Sequence, residues 1–549
     1  MSGLKKTSVY LLIVLSLALP VLTGFGCGEG DRPPKLVILI VVDGFRADYA
    51  DRFLDVLDEG GLKLLYNRGT VFSNARIDYF FSATAPGHAA IATGCYPSRN
   101  GIAANYWWDS ETGTKTKCGV GGSPAQLRGP HITEEFRSVY GPGARIFSIS
   151  VKNRSAIMLG GRDADGVFWL SEADRGFTTS SWYADELPQW VASFNSETAL
   201  PGYRGRQWDL LLPPRGQEKC RDDYCEFETA YHSLGGVFPH LIEDQPDKTD
   251  SSLVHTLRHT PLLDEVVGDF ADRLIREEGL GTDSTPDLLL VSFSCIDEIG
   301  HDFGPFSLEI GDAVWRIDRV LSRLLGSVSD RLDLEHECLI ALTADHGMTP
   351  LPSLAAASGK EAGLVVTGPV EGREGWPNVK TVIDDALDST YGPAEWVVSV
   401  PYPSVKLDIE TMTARGLDPG MVLETARSAL AGLRGVESIV TAQELAAGKN
   451  PGVDVWPALT RWYVPDRCGE LVVSLKPHYA WSSPRYATKG GTNHGSTYDD
   501  DSKIPLVFFG NGIPVSIRDE PVSHVHITPS LLKKAGVESS VTYDGTPLF

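Results

Sequence analysis

The chain has 549 residues, 42% apolar and 22% charged, a composition that excludes intrinsic disorder, collagen and coiled coil as descriptions of the whole. Its length leaves room for one large α/β domain with insertions or for roughly two to four domains. Its 72 acidic and 49 basic residues give a formal charge of −23, which repels polyanions and excludes a nucleic-acid partner held by counterion release, so an anionic substrate must meet local positive charge, most simply metal ions.

At the N-terminus Lys5 and Lys6 precede an apolar run from Val9 to Leu22, with Gly24 and Gly26 just ahead of Cys27. This is the pattern of a secretory signal over residues 1–26, and it predicts a protein that is exported, either periplasmic or membrane-anchored. Cys27 after Gly26 has the look of a lipoprotein cleavage site. A lipid anchor at Cys27 and ordinary cleavage nearby are both open.

Four short apolar runs follow: Leu36 to Val42 ending at Asp43, Leu288 to Phe293 leading into Asp297, Leu339 to Leu342 leading into Asp345, and Leu506 to Phe509 ending at Gly510. Such β-branched runs, apolar on both faces and bounded by polar turns, predict central strands of a parallel sheet. A helix is expected from about Leu262 to Glu278, and Ile310, Val314, Ile317, Leu321 and Leu324 line one face of another. The alternation predicts an α/β fold whose central, mostly parallel sheet carries helices on both faces. The core is assigned to residues 35–390 and 485–549, with a Gly-, Pro- and aromatic-rich insertion at about 110–255. Strand patterns at Val397 to Val400, Ser404 to Leu407 and Glu470 to Leu475, with a helix at Met421 to Leu433, predict an inserted α+β subdomain over 391–484. The cysteines after Cys27 are dispersed without a CxxC pair, against thiolate-held zinc; Cys220 and Cys225 could close a small disulfide, while Cys295 and Cys338 read as buried.

Ligands in such sheets gather at the carboxyl ends of strands, where Asp43, Asp297, Asp345 and His346 all stand. A lone Asp there is most often a helix cap; several at equivalent positions are harder to dismiss. Asp297 and His301 are four residues apart and can converge on one ion. Asp345 and His346 turn into Gly347, and His494 lies in the glycine-rich turn that begins at Gly490. Three Asp and three His without Cys suit zinc, with manganese or cobalt as alternatives and calcium disfavoured. Six ligands exceed the needs of one tetrahedral ion, so two Zn2+ per chain are expected. Thr84 begins the segment Thr84-Ala85-Pro86-Gly87-His88 ahead of an apolar helical run to Gly94. A threonine there is either a helix cap or a hydroxyl nucleophile aimed from a helix start beside a metal.

At this point the chain resembles the alkaline phosphatase superfamily. The likeness runs through Val41-Val42-Asp43-Gly44, Thr84 to His88, Tyr96-Pro97 with Gly101-Ile102, Asp297-Glu298-Ile299-Gly300-His301 with Gly304-Pro305, Ala344 to Met348, and Asn493-His494-Gly495. It covers roughly residues 36 to 540 and is strongest to the nucleotide pyrophosphatase/phosphodiesterases and the bacterial phosphate-irrepressible alkaline phosphatases. The resemblance implies an alkaline-phosphatase-like sandwich and a di-zinc centre. Asp297, His301 and His494 would hold one ion, and Asp43, Asp345, His346 and the Thr84 hydroxyl the other. Cys95 to Arg99 spells the Cys-x-Pro-Ser-Arg motif of sulfatases, but it follows the helix that Thr84 begins, so it is read as a decoy.

The resemblance also implies that Asn105 donates to a phosphoryl oxygen. The segment Lys152-Asn153-Arg154 looks like the Lys-x-Arg element of the phosphate-irrepressible enzymes. On a strand the two cations would share a face and clamp one dianion. A monoester carries nearly two negative charges and a diester one. The expected function is therefore an exported di-zinc phosphomonoesterase acting on small phosphate monoesters through a phosphothreonine, with a monomer expected. The alternatives are a phosphodiesterase or nucleotide pyrophosphatase of the same superfamily and, more remotely, a sulfatase or a zinc-binding protein without turnover. Trp107, Trp108, Trp169, Trp182 and Trp190 are expected to pack rather than to line the site.

Overall fold

The computed structural model describes residues 32–229, 234–242 and 253–549; the expected leader and Cys27 lie outside them. Its centre is a nine-stranded sheet. In chain order the strands are β1 (Leu36–Val42), β2 (Thr70–Phe72), β3 (Ile146–Ser150), β4 (Gly166–Ser171), β5 (Gly176–Thr178), β6 (Asp287–Phe293), β7 (Cys338–Thr343), β8 (Leu506–Gly510) and β9 (Ser516–Arg518). Across the sheet they run β9-β2-β8-β7-β1-β6-β3-β4-β5. The five strands β7, β1, β6, β3 and β4 are mutually parallel. Every residue of β1, β6 and β7 is buried, as runs apolar on both faces require.

Two expectations are corrected here. Leu506 to Phe509 is a sheet strand but pairs antiparallel with β7, a direction that a run of apolar residues does not encode. The stretch at about 110–255 is not simply an insertion, because it supplies β3, β4 and β5. Its glycines and aromatics disguise short strands at one side of the sheet.

The helix Leu308–Ser329 starts at Ser307, whose hydroxyl accepts from the Ile310 amide at 3.2 Å, and it buries Ile310, Val314, Ile317, Leu321 and Leu324. Each such side chain contributes roughly 1.5–3 kcal/mol, so a core this large can carry a cluster of buried charge at one end of the sheet. A second buried cluster lies under a four-stranded sheet of Val397–Ser399, Ser404–Leu407, Leu471–Leu475 and Val436–Thr441. It also takes in Val379, Ile383 and Leu387, ahead of residue 391. All seven described cysteines are free thiols, so the Cys220–Cys225 disulfide is not formed; Cys295 and Cys338 are buried.

Candidate active site

Because β3, β6, β1 and β7 are adjacent and parallel, the turns after them open on one edge of the sheet. Asp43 follows β1, Asp345 and His346 follow β7, Lys152 follows β3, and Asp297 lies in the helix Cys295–Phe303 that leaves β6. Asp264 accepts from the Ser294 and Cys295 amides at 2.8 and 3.1 Å and so caps that helix from a distant part of the chain. Glycine permits the close packing. A Cβ on Gly87 would meet the Asp345 carbonyl at 2.5 Å, and Gly44, at φ +72°, lies where a Cβ would meet Asp297 Cα at 2.8 Å.

The three histidines are oriented alike. Nδ1 of His301 donates to the Thr492 carbonyl, that of His346 to the Gly347 carbonyl and that of His494 to the Ser82 carbonyl, each at 2.9 Å. Each ring is thereby fixed with Nε2 facing the carboxylates. His346 Nε2 lies 3.2 Å from Asp43 Oδ1 and 3.5 Å from Asp345 Oδ2; His301 Nε2 lies 3.3 Å and His494 Nε2 3.7 Å from Asp297 Oδ1. The donor atoms form two groups able to hold an ion, Asp297 with His346 and His494, and Asp43 with Asp345 and His346. His346 therefore stands between the two groups, stacked on His494 with ring centroids 3.5 Å apart.

Asp43 Oδ1, Asp297 Oδ1, Asp345 Oδ2 and His346 Nε2 are buried yet make no hydrogen bond, close as they are to one another. Buried polar atoms are ordinarily paired, and four orphans converging in a mixed nitrogen and oxygen set fit divalent cations. Burial alone would raise the Asp43 carboxyl, but Lys152 and His346 outweigh it and hold it well below the usual range. Burial would lower His346, yet Asp345, Asp43 and Asp297 raise it to about 10. Burial and the neighbouring His346 push His494 well below its ordinary value.

Thr84 is buried at the first turn of the helix Thr84–Thr93. It is not the cap: Ala83 holds that place, and the Thr84 hydroxyl accepts from Arg154 Nη2 at 3.3 Å. Asn105 Oδ1 accepts from the Ala85 amide at 2.8 Å, and Asn105 lines the same cavity as Thr84. His88, quoted above only within a motif, donates to the Thr84 carbonyl at 2.8 Å, accepts from Ser292 Oγ at 2.8 Å and lies 3.3 Å from Asp345 Oδ2. The Lys152 and Arg154 pair does not lie on a strand. β3 ends at Ser150, and the two residues bracket the start of the helix Asn153–Gly160. Arg154 faces the cavity with Thr84, whereas Lys152 is buried with Nζ 2.8 Å from Asp43 Oδ2 and 2.5 Å from Asp297 Oδ2.

Thr84, Asn105, Arg154, Asp297, His301 and His494 line a cavity of ≈310 Å³. Its lining includes Tyr402 and Trp481, stacked at 5.8 Å. Neither was expected, since both come from the segment of the second core and carry no local signal. Trp107 is buried, Trp190 packs on Phe270, and none of the five tryptophans named above lines this cavity. A larger cleft of ≈860 Å³ touches His494 but none of the other predicted site residues, so the chemistry belongs to the smaller one. Cys95 is buried beyond the far end of the Thr84 helix, its thiol pushed up by burial to about 11, unlike a reactive sulfatase cysteine. His524 donates to the Ala344 carbonyl at 2.8 Å and is structural.

Asp501 ties the ligand-bearing loops together. Its carboxylate accepts from the Ser496 amide and hydroxyl at 2.9 and 2.6 Å and from Thr349 Oγ1 at 2.8 Å, and its carbonyl accepts from the Gly347 amide at 2.8 Å. Asp501→Ala should weaken metal binding about 10- to 100-fold, as loss of support around a metal site does. Chelator competition on the folded variant checks this, and unchanged affinity would make Asp501 a loop tie without consequence for the ligands.

The type I phosphodiesterase / nucleotide pyrophosphatase family model matches residues 37–362. A Myroides odoratus protein named calcium-transporting ATPase is 30% identical, over 94% of each chain. That name stays with that protein; among the described residues no helix is long and apolar enough to cross a membrane. The alkaline phosphatase PafA of Elizabethkingia meningoseptica is 28% identical over 91% of this chain and 92% of that one. The crystal structure of wild-type PafA matches with a TM-score of 0.84 at 26% identity, covering 94% of this chain and 98% of that one. With the ligand groups, the Thr84 helix and the sheet order in place, the chain belongs to the type I phosphodiesterase / nucleotide pyrophosphatase family, within the alkaline phosphatase superfamily.

Proposed function

We propose that this chain is an exported phosphomonoesterase that transfers the phosphoryl group of a small phosphate monoester to Thr84 and then to water. The observation that carries the reading is the approach of Arg154 Nη2 to within 3.3 Å of the buried Thr84 hydroxyl, beside Asn105 and the orphaned carboxylates. Two divalent ions, zinc by the donor set, would be held by Asp297, His301 and His494 and by Asp43, Asp345 and His346, with His346 within reach of both donor groups; when bound they would acidify a hydroxyl and stabilise a leaving oxygen.

Thr84 Oγ1 gives its proton to solvent and attacks phosphorus in line, forming a phosphothreonine as the bond to the leaving oxygen breaks and that oxygen takes a proton from solvent. Water then attacks phosphorus from the opposite side, returns the oxygen to Thr84 and releases phosphate. Asn105 Nδ2 and the Arg154 guanidinium stabilise the equatorial oxygens, and Lys152 supplies the second cation behind them. The alkaline phosphatase name of PafA supports this reading, as do the two cations, which suit a dianion. The N-terminal pattern supports export, with Cys27 as the residue that a lipid would modify.

Truncating Arg154 to alanine should lower monoester kcat/KM about tenfold to a thousandfold, the roughly 1.4 to 4 kcal/mol of a charge-assisted contact in a water-poor site, and Lys152→Ala, which removes charge behind the cavity wall, should cost less. Activity on the matching diester should fall much less, because alkylation removes charge from the oxygen concerned. Steady-state kinetics on paired aryl phosphate monoester and diester substrates checks this. Equal losses on both would move the reading to a phosphodiesterase.

A further inference from the structure

Lys152 poses a problem of occupancy. Its ammonium lies 2.8 Å from Asp43 Oδ2 and 2.5 Å from Asp297 Oδ2, two carboxylates that the donor geometry assigns to cations. A divalent ion held by those residues competes with a lysine for the same negative charge. A buried ammonium that loses its counter-ions is expensive unless another anion takes it. The residue next to Asp297 offers one: Glu298 Oε1 stands 3.4 Å from Lys152 Nζ. Glu298 belongs to neither ligand group, and it lines the substrate cavity, on which neither Asp43 nor Lys152 opens.

Glu298 is itself held in a run of alternating charge. Its other oxygen, Oε2, lies 4.0 Å from His259 Nε2, and His259 Nδ1 lies 2.6 Å from Asp302 Oδ2. His259 and Asp302 line the same cavity wall. The series Asp43/Asp297, Lys152, Glu298, His259, Asp302 thus leads from the ligand carboxylates to the substrate side. A flexible four-carbon stem lets the ammonium change partner by a small rotation, which a planar, forked guanidinium would do less readily.

We propose that Glu298 is a positioning residue that takes over the Lys152 ammonium when cations are held by Asp43 and Asp297, and so keeps it on the substrate side of the site. Without Glu298 the ammonium stays with the two ligand carboxylates and opposes the cations. The inference rests on the reading of Asp43 and Asp297 as metal ligands, and it couples residue 298 to metal affinity only through Lys152.

The test is zinc affinity by chelator competition on the full chain, read alongside turnover. Glu298→Gln, nearly isosteric, should bind zinc about tenfold more weakly than wild type. Glu298→Asp keeps the charge and should lie within about threefold of wild type. In a Lys152→Ala background, Glu298→Gln should change zinc affinity by less than about twofold, because the competing ammonium is gone. An equal loss from Glu298→Gln with and without Lys152 would overturn the proposal, since Glu298 would then attract cations by itself. So would equal losses from Glu298→Gln and Glu298→Asp, which would point to packing rather than charge. Wild-type protein that takes up no zinc would instead overturn the ligand assignment itself.

Discussion

Thr84→Ala should lower monoester turnover by about 10³-fold or more and abolish the phosphoenzyme, while fold and metal content stay as in wild type. The structure sharpens this expectation beyond a helix-start motif. Ala83, not Thr84, occupies the cap, and the Ala85 amide is satisfied by Asn105 Oδ1, so the Thr84 hydroxyl caps nothing. The variant therefore escapes the typical cost of about 1 kcal/mol for a lost cap. What it loses is the hydroxyl that accepts from Arg154 in the cavity and that the proposed mechanism uses as nucleophile. Thr84→Ser should retain part of the activity because the hydroxyl survives. Acid-quench trapping with mass spectrometry reads the phosphothreonine directly. Wild-type turnover by a metal-loaded Thr84→Ala protein would reduce Thr84 to a packing residue.

Chelating both ions should abolish turnover, and zinc should restore it. The metal-free protein should also melt at a lower temperature. Ions that bind only the folded chain stabilise it by about 4 kcal/mol per site at a thousandfold excess over Kd. Their removal leaves Asp43, Asp297 and Asp345, each 0–2% exposed, facing one another with Lys152 and the histidines as the nearby positive charge. The individual ligands should not be equivalent. His346 Nε2 lies in both donor groups, whereas His301 meets Asp297 at the rim of the site. His346→Ala should therefore weaken both ions and His301→Ala mainly one. Elemental analysis of the purified variants checks the count, and full activity in metal-free protein would remove the basis of the proposed mechanism.

The strands β1, β6 and β7 were legible because short, mostly apolar, β-branched runs with an Asp at or a few positions past their ends have few other uses, and the helix Leu308–Ser329 because its apolar spacing matches one face. Asp43, Asp345 and His346 were legible for a related reason, since they stand just past strand ends, Asp297 because it opens the helix that leaves β6, and His494 because it sits in a glycine-rich loop. The antiparallel direction of β8 was not legible, since burial on both faces suits either direction of pairing. Nor were β3 to β5, whose strands are short and interrupted by turns that look like insertion.

The residue types by themselves determined that this chain can build an α/β sheet and can offer a hydroxyl, imidazoles and carboxylates suited to divalent metals. Local chemistry of that kind is written in a few adjacent positions. Tertiary structure alone decided which atoms meet. It placed His346 between two donor groups and put Arg154 against Thr84 from the turn of a helix. It also set Lys152 among the ligand carboxylates, with Glu298 at its side. Distances of 3 Å between residues more than a hundred positions apart depend on strand order and on close approaches such as those of Gly44 and Gly87, and no stretch of sequence contains both partners.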